Sequence, residues 1–359
     1  MVNKVGWWWT EIGEPEKVEI NRAIDSRRFS QGPFALELED ALRKKLGVPH
    51  VIVTPSGSIA LLMAMMAAGV GPGDEVIVPD RTWIATAHGA AILGAQVVLA
   101  DSERHSPVID VGEIARKITP KTKAIVPVHL NGRACDMKAI MALAAPRGIC
   151  VVEDAAQAML SRSPMGMLGT LGDFGCFSLG MTKLISMGHG GAIATRRDDL
   201  YEKVHLIREN GVTDRMTETA TTLGCNFRVS DLQSAMGLAQ LGRAEQKVAH
   251  VLRVYHRYAE GLANMPHVRV LPVDVENGEV PLWTEIICRD RDKLAAALLA
   301  EGFEVHFGHR SLSRAPQLRA SGDYPHSQFY DRNLARLPCG PGQPLANVDR
   351  VIEIIRSLA

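Results

Sequence analysis

From about residue 35 onward, short apolar runs alternate with longer stretches of helical spacing. Residues 34–46 (FALELEDALRKKL) repeat apolar side chains at intervals of three and four, and Gly47 follows as a stop. Strands are predicted at 50–54, 75–79, 96–100, 124–129, 149–153 and 173–178, with helices at 59–68, 82–93 and 137–144 between them. These strands are nearly all apolar instead of alternating, so both of their faces need cover. That pattern implies an α/β fold whose mostly parallel sheet lies between layers of helices.

The rhythm changes near residue 240. Residues 238–262 (LAQLGRAEQKVAHVLRVYHRYAEGL) read as one long helix without strand signals. A second α/β pattern follows, with strands at 282–288 and 303–307 and helices at 291–300 and 348–358. This predicts a large domain over 1–240, including the N-terminal segment, and a smaller C-terminal domain over 241–359 that includes the bridging helix.

Composition narrows the function classes. A chain of 359 residues suggests two domains with room for a large core. Forty basic and forty acidic side chains cancel, which argues against a nucleic-acid binder or a polybasic membrane anchor. The longest apolar run, 59–68, is half of what a membrane helix needs. The start, MVNKVGWWWTEIGEPE, lacks a signal-peptide pattern, so a cytoplasmic protein is expected. A neutral chain that is 46% hydrophobic is expected to bury apolar patches between subunits. The six cysteines are scattered without a CxxC pair, so neither structural zinc nor a disulfide framework is expected.

The common nucleotide and hydrolase motifs GxxxxGK[ST], GxGxxG, HExxH and GxSxG are absent. Polar residues at strand-to-helix turns remain, where α/β sheets bind ligands. Ser56-Gly57-Ser58 precedes an apolar helix and offers either an anion site or plain N-capping. Asp154 follows a buried strand, where a carboxylate needs a cation or a capping role; a pyridinium nitrogen would suit it, and Ala155 and Ala156 leave room for a flat ring. Lys183 sits between Ser178 and the Gly188-His189-Gly190-Gly191 segment, where it forms an imine with an aldehyde cofactor or is simply solvated. The order of the three, each after a strand, carries more than any one of them.

These motifs resemble fold-type I pyridoxal-phosphate (PLP) enzymes, and specifically the DegT/DnrJ/StrS family of sugar aminotransferases. The resemblance runs through SQGPFALELEDALRKKLG, PSGSIAL, GPGDEVIVPDRTWIATAHGAAILGAQVVLAD, TKAIVPVHLNG, VVEDAAQA, GDFGCFSLGMTK, GHGGAIAT and GCNFRVSDLQSAMGLAQL. It implies that Lys183 holds PLP covalently and shuttles protons, with Asp154 on the pyridine nitrogen. It further implies Gln157 near the ring hydroxyl, Trp83 stacked on the ring, and Gly57, Ser58 and Ser178 on the phosphate. Asn226 matches a residue that reaches the phosphate from the neighbouring subunit, which implies a homodimer with a shared site. A lysine at 183, where a dehydratase branch has histidine, implies transamination through pyridoxamine phosphate (PMP). The amino group would pass from glutamate to a keto sugar in amino-sugar, surface-polysaccharide or secondary-metabolite biosynthesis.

Other readings stay open at this stage: a keto-cyclitol acceptor, a PLP lyase or aldolase, a non-catalytic regulator, or a metal- or nucleotide-dependent enzyme. His129 either supports Asp154 or packs, and Trp7-Trp8-Trp9 either anchors an interface or forms a substrate platform. Arg208, Arg215 and Arg228 either bind a nucleotide diphosphate or are solvated, and His189 has no assigned role. The segment VHFGHRSLSRAPQL departs from the family's substrate loop, which puts the substrate in doubt more than the cofactor.

Overall fold

Seven short strands form the central sheet: β1 His50–Thr54, β2 Glu75–Pro79, β3 Gln96–Ala100, β4 Thr122–Ile125, β5 Cys150–Asp154, β6 Phe174–Ser178 and β7 Gly191–Thr195. The structure is a computed structural model describing residues 4–30, 32–214, 216–318 and 321–358. The strand order is β1-β7-β6-β5-β4-β2-β3; β7 runs antiparallel to both neighbours and the others are mutually parallel. The expected mostly parallel α/β sheet is therefore present. Alternate residues feed opposite layers: Val76 and Val78 join the cluster around helix Gly57–Ala67, while Ile77 joins that around helix Met137–Ala144. Helix Gly57–Ala67 is apolar all round because it is buried on nearly all sides.

Several boundaries differ from the sequence reading for identifiable reasons. The strand expected at 124–129 stops at Ile125, because Pro127 has no N–H to donate; pairing resumes only at the Val128–Asp154 bridge. The helix expected at 82–93 begins at Ala85, which leaves Trp83 outside it. The long helix is two, Asp231–Gly242 and Ala244–Gly261, meeting at Arg243. Arg243 is pinned there by Glu11 and Glu16, so an N-terminal contact holds the break in place.

Beyond the break, β8 Val268–Val270, β9 Glu285–Cys288 and β10 Leu334–Arg336 form a three-stranded antiparallel sheet, covered by helices Arg291–Ala300 and Leu345–Ser357. No strand forms at 303–307. Phe303 makes one bridge to Val5 and His306 one to Arg336; Gly308, at φ 72°, then turns the chain toward the main cavity. The N-terminal segment crosses to this side as well, with Val5, Trp7 and Trp8 packed on its core. Helices Glu14–Asp25 and Pro325–Asn333 escaped the sequence reading, although each starts at a proline in its first turn. The six cysteines are all unpaired.

Candidate active site

The turn after β1 does two jobs at once. Ser56 caps helix Gly57–Ala67 by accepting the Ile59 N–H through Oγ (3.2 Å). The amides of Gly57 and Ser58 have no partner among the described residues, so this helix end still offers backbone donors. Glycine is required at 57, since a Cβ would lie 2.9 Å from Ser178 Cβ, and at 191, where it would meet the Ser56 carbonyl carbon at 2.5 Å. The turn is thus clamped between β6 and β7, with the Ser58 and Ser178 side chains beside it.

At the end of β5 two adjacent carboxylates take opposite roles. Glu153 is wholly enclosed and accepts N–H bonds from Gly169 (2.9 Å), Leu171 (2.6 Å) and Gly172 (2.7 Å). His129 completes the set: its Nδ1 accepts the Cys135 N–H, so Nε2 carries the proton toward Glu153 at 2.8 Å. His129 therefore holds the neighbour of Asp154, rather than Asp154 itself. Asp154 accepts from Thr86 Oγ (2.7 Å) and the Ala156 N–H (3.1 Å). Burial pushes its carboxyl pKa up despite these bonds and the nearby Lys183. A cation placed against Asp154 would relieve that penalty.

Lys183 lies in the loop between β6 and β7, which closes through Leu179 N–H to Gly190 O and Met187 N–H to Leu179 O. Trp8 Nε1 and Thr10 Oγ both donate to Met181 O (3.2 and 2.7 Å), so the N-terminal segment latches this loop. Burial lowers the amine pKa to about 8, opposed by Asp154 and aided by the positive Arg336. Its Nζ stands 5.3 Å from the Trp283 ring centroid and has no hydrogen-bond partner among the described residues.

One cavity of about 370 Å³ gathers these pieces. Of the residues singled out in the sequence, Gly57, Ser58, Trp83, Asp154, Gln157, Ser178 and Lys183 line it. Asn226 does not; it is exposed on a separate loop, bridged to Glu209. The family model for "DegT/DnrJ/EryC1/StrS aminotransferase family" matches residues 10–356. The chain belongs to this family.

Relatives agree over nearly the whole aminotransferase chain. A GDP-perosamine synthase of Caulobacter vibrioides is 35% identical over 331 residues, covering 90% of this chain and 89% of that protein. A dTDP-3-amino-3,4,6-trideoxy-alpha-D-glucose transaminase of Streptomyces venezuelae is 31% identical, covering 98% and 94%. Among solved structures, DesV of S. venezuelae in complex with a ketimine intermediate superposes with a TM-score of 0.90 at 29% identity, covering 96% and 94%.

The other residues weighed in the sequence sort plainly in this aminotransferase. Arg208 is buried between Glu39 (2.8 Å) and Glu209 (3.1 Å), and Arg228 pairs with the same Glu209. Both are held in one ion network through Glu209, Arg208 buried and Arg228 partly exposed to solvent; Arg215 lies outside the described residues. His189 lines the cavity, and its carbonyl accepts from Gln233. The tryptophan run divides: Trp7 lines the cavity and stacks on His306 at 4.5 Å, Trp8 latches the lysine loop, and Trp9 is half exposed.

Sequence reasoning missed the side of the cavity built by the C-terminal half. His306, His309, Trp283 and Arg336 all line it. Gln157 reaches across, accepting the Asn131 N–H and donating to His309 Nε2 at 3.0 Å. Burial and the neighbouring arginines keep His306 and His309 neutral, with the His306 pKa lowered to about 4. A signal was present in the two histidines three apart around Gly308, but Trp7, Arg81 and Gln157, which they meet, lie over 100 residues away.

Proposed function

We propose that this enzyme is a PLP-dependent aminotransferase acting on a nucleotide-linked keto sugar, with glutamate as the amino donor. The observation that carries this reading is the meeting of a half-buried, unpaired lysine, a desolvated carboxylate and an open helix N-terminus in one cavity. The residues fit PLP: free amides with Ser58 and Ser178 for its phosphate, Asp154 for the ring nitrogen, small Ala85 and Ala156 for a flat ring, and Trp83 at its face. The bound cofactor supplies an electron-accepting ring. Lys183 would hold the cofactor covalently and move the proton at the substrate carbon, while Asp154 keeps the ring nitrogen protonated. Gln157 and His309 would fix the ring's polar edge.

The names of the relatives support a sugar acceptor and a nucleotide handle. Asn226 would act on the phosphate of a second copy's site. Met216 and Leu223, almost fully exposed near it, suit burial by that copy. The division near residue 240 fits the break at Arg243, with the cofactor on residues 1–240 and the substrate side completed by 241–359. Among the described residues no helix is long and apolar enough to cross a membrane.

The test is chemical. Purified protein with PLP is expected to show a visible absorbance band, and borohydride should bleach it and add the cofactor's mass at Lys183. Glutamate should then convert the cofactor to PMP with release of 2-oxoglutarate, and a nucleotide-linked keto sugar should restore the band. A protein that takes up no PLP, or releases no oxo acid, would contradict the proposal.

The lowered amine pKa gives a pH signature. Lys183 attacks the aldehyde only when unprotonated, so PLP recapture by cofactor-free protein should quicken as pH rises and level off above about 8. An ordinary lysine would keep accelerating to about pH 10.4, and that profile would refute the buried, cation-neighboured amine.

A further inference from the structure

We infer that the N-terminal segment, residues 5–16, is a strap that positions Lys183: Thr10 and Trp8 hold the Met181 carbonyl and so fix the turn from which the amine projects. The inference rests on the proposed role of Lys183 in holding PLP. The strap is fastened on both sides. Toward the C-terminal half, the Val5 N–H donates to Gly302 O (2.8 Å) and Val5 O accepts from the Glu304 N–H (3.0 Å). Trp7 O accepts from the Cys339 N–H (2.9 Å), and the Trp9 N–H donates to Cys339 O (3.0 Å). At the other side, Gln240 Nε2 donates to the Glu11 carbonyl and to Glu16 Oε1 (both 2.8 Å), and Arg243 pairs with both glutamates. Between these anchors, Thr10 Oγ donates to Met181 O (2.7 Å), while Trp8 Nε1 divides between that oxygen (3.2 Å) and Thr10 Oγ (2.7 Å).

The Lys183 N–H closes a turn onto Gly180 O at 3.1 Å, with Met181 and Thr182 at its tip. The two halves of the loop are held differently. Leu184, Ile185, Ser186 and Met187 are buried, and the Ser186 N–H also donates to Gln240 Oε1 (3.3 Å). The tip lacks such support. Met181 is half exposed, and among the described residues 181 and 182 make no hydrogen bond except those that the strap supplies. These bonds fix the plane of the 181–182 peptide, and with it the direction in which the chain enters Lys183. Met181, Thr182 and Lys183 all line the cavity, so a tilt of the tip carries the amine with it. Trp8 and Thr10 are not among the lining residues, so their effect passes through the loop. A displacement of about 1 Å at a reacting group can cost on the order of 100-fold in rate.

Covalent capture of PLP joins the Lys183 nitrogen to the aldehyde carbon and releases one water, whereas PMP carries an amine in place of the aldehyde and binds without that bond. The two cofactors therefore separate amine placement from cofactor binding. Cofactor-free Thr10→Val and Trp8→Phe/Thr10→Val proteins are expected to capture PLP ~10- to 100-fold more slowly, the double variant most, with PMP affinity within a few-fold of the parent. Thr10→Ser keeps the donor and should keep the parent rate. Equal losses of PLP capture and PMP affinity would make the strap a mere support of the fold, and an unchanged capture rate would mean the tip holds itself; either result overturns the inference. Hydrogen exchange in the parent decides the matter should the variants fail to fold. Coupling is reciprocal, so covalent capture of PLP should slow amide exchange over residues 8–12 more than PMP binding does, and equal exchange with the two cofactors overturns the strap. Each of these failures would leave PLP capture by the parent intact, whereas a parent that captures no PLP at Lys183 would instead overturn the function.

Discussion

Lys183→Ala protein is expected to lose at least ~10²–10⁴ of its transamination rate, the part that acid–base catalysis alone supplies. The amine sits in the loop between β6 and β7, is lowered in pKa by burial, and has no hydrogen-bond partner among the described residues, as the proposed proton transfer requires. Alanine removes the group proposed as both nucleophile and proton carrier. Lys183→Arg separates these from simple charge, because a guanidinium keeps the cation but cannot form the imine. Both variants should fold, since the loop is closed by backbone bonds and by the Trp8 and Thr10 latch rather than by the amine. Circular dichroism checks that, and a single-turnover assay with glutamate reads the rate. A Lys183→Ala protein within ten-fold of the parent rate would remove this residue from the chemistry.

The second large effect is on stability. Glu285→Gln is expected to destabilise the fold by about 3–5 kcal/mol, because it leaves the buried guanidiniums of Arg133 and Arg336 without the carboxylate they both pair with. Although burial opposes it, Arg133, Arg336 and Arg81 hold the Glu285 pKa below the usual carboxylate range. The sign follows from linkage: the contribution is present above the ordinary glutamate pKa and fades as pH falls through the lowered one. The Gln side chain preserves shape and the Asn131 contact, so the loss reports charge, not packing. Urea midpoints at neutral pH measure it, and a change below about 1 kcal/mol would mean the arginines are neutralised some other way.

Much of the central sheet and its helices was legible from residue order, because their signals are local. An apolar run of five residues bounded by turn residues is a strand whatever surrounds it, and Gly47 ends its helix by its own left-handed geometry, at φ 67°. The positions of Gly57, Asp154 and Lys183 in or beside strand-end turns followed in the same way, and the family resemblance added the roles proposed for them. Failures came where one distant contact decides. The break at Arg243 depends on Glu11 and Glu16, over 220 residues earlier, and the missing strand at 303–307 depends on which neighbour is available to pair with it.

By itself, then, the order of amino acids determined the parallel sheet, the polar turns at its strand ends and the family, since each is written in contiguous residues. Only the folded chain decided what faces those turns. Asn131 bonds to the Trp283 backbone and to Glu285, Gln157 meets His309, and Arg336 stands over Trp283 because residues distant in the chain pack together. Buried cations and neutral histidines are properties of that closure: desolvation and neighbouring charge depend on three-dimensional distance, which spacing along the chain does not encode.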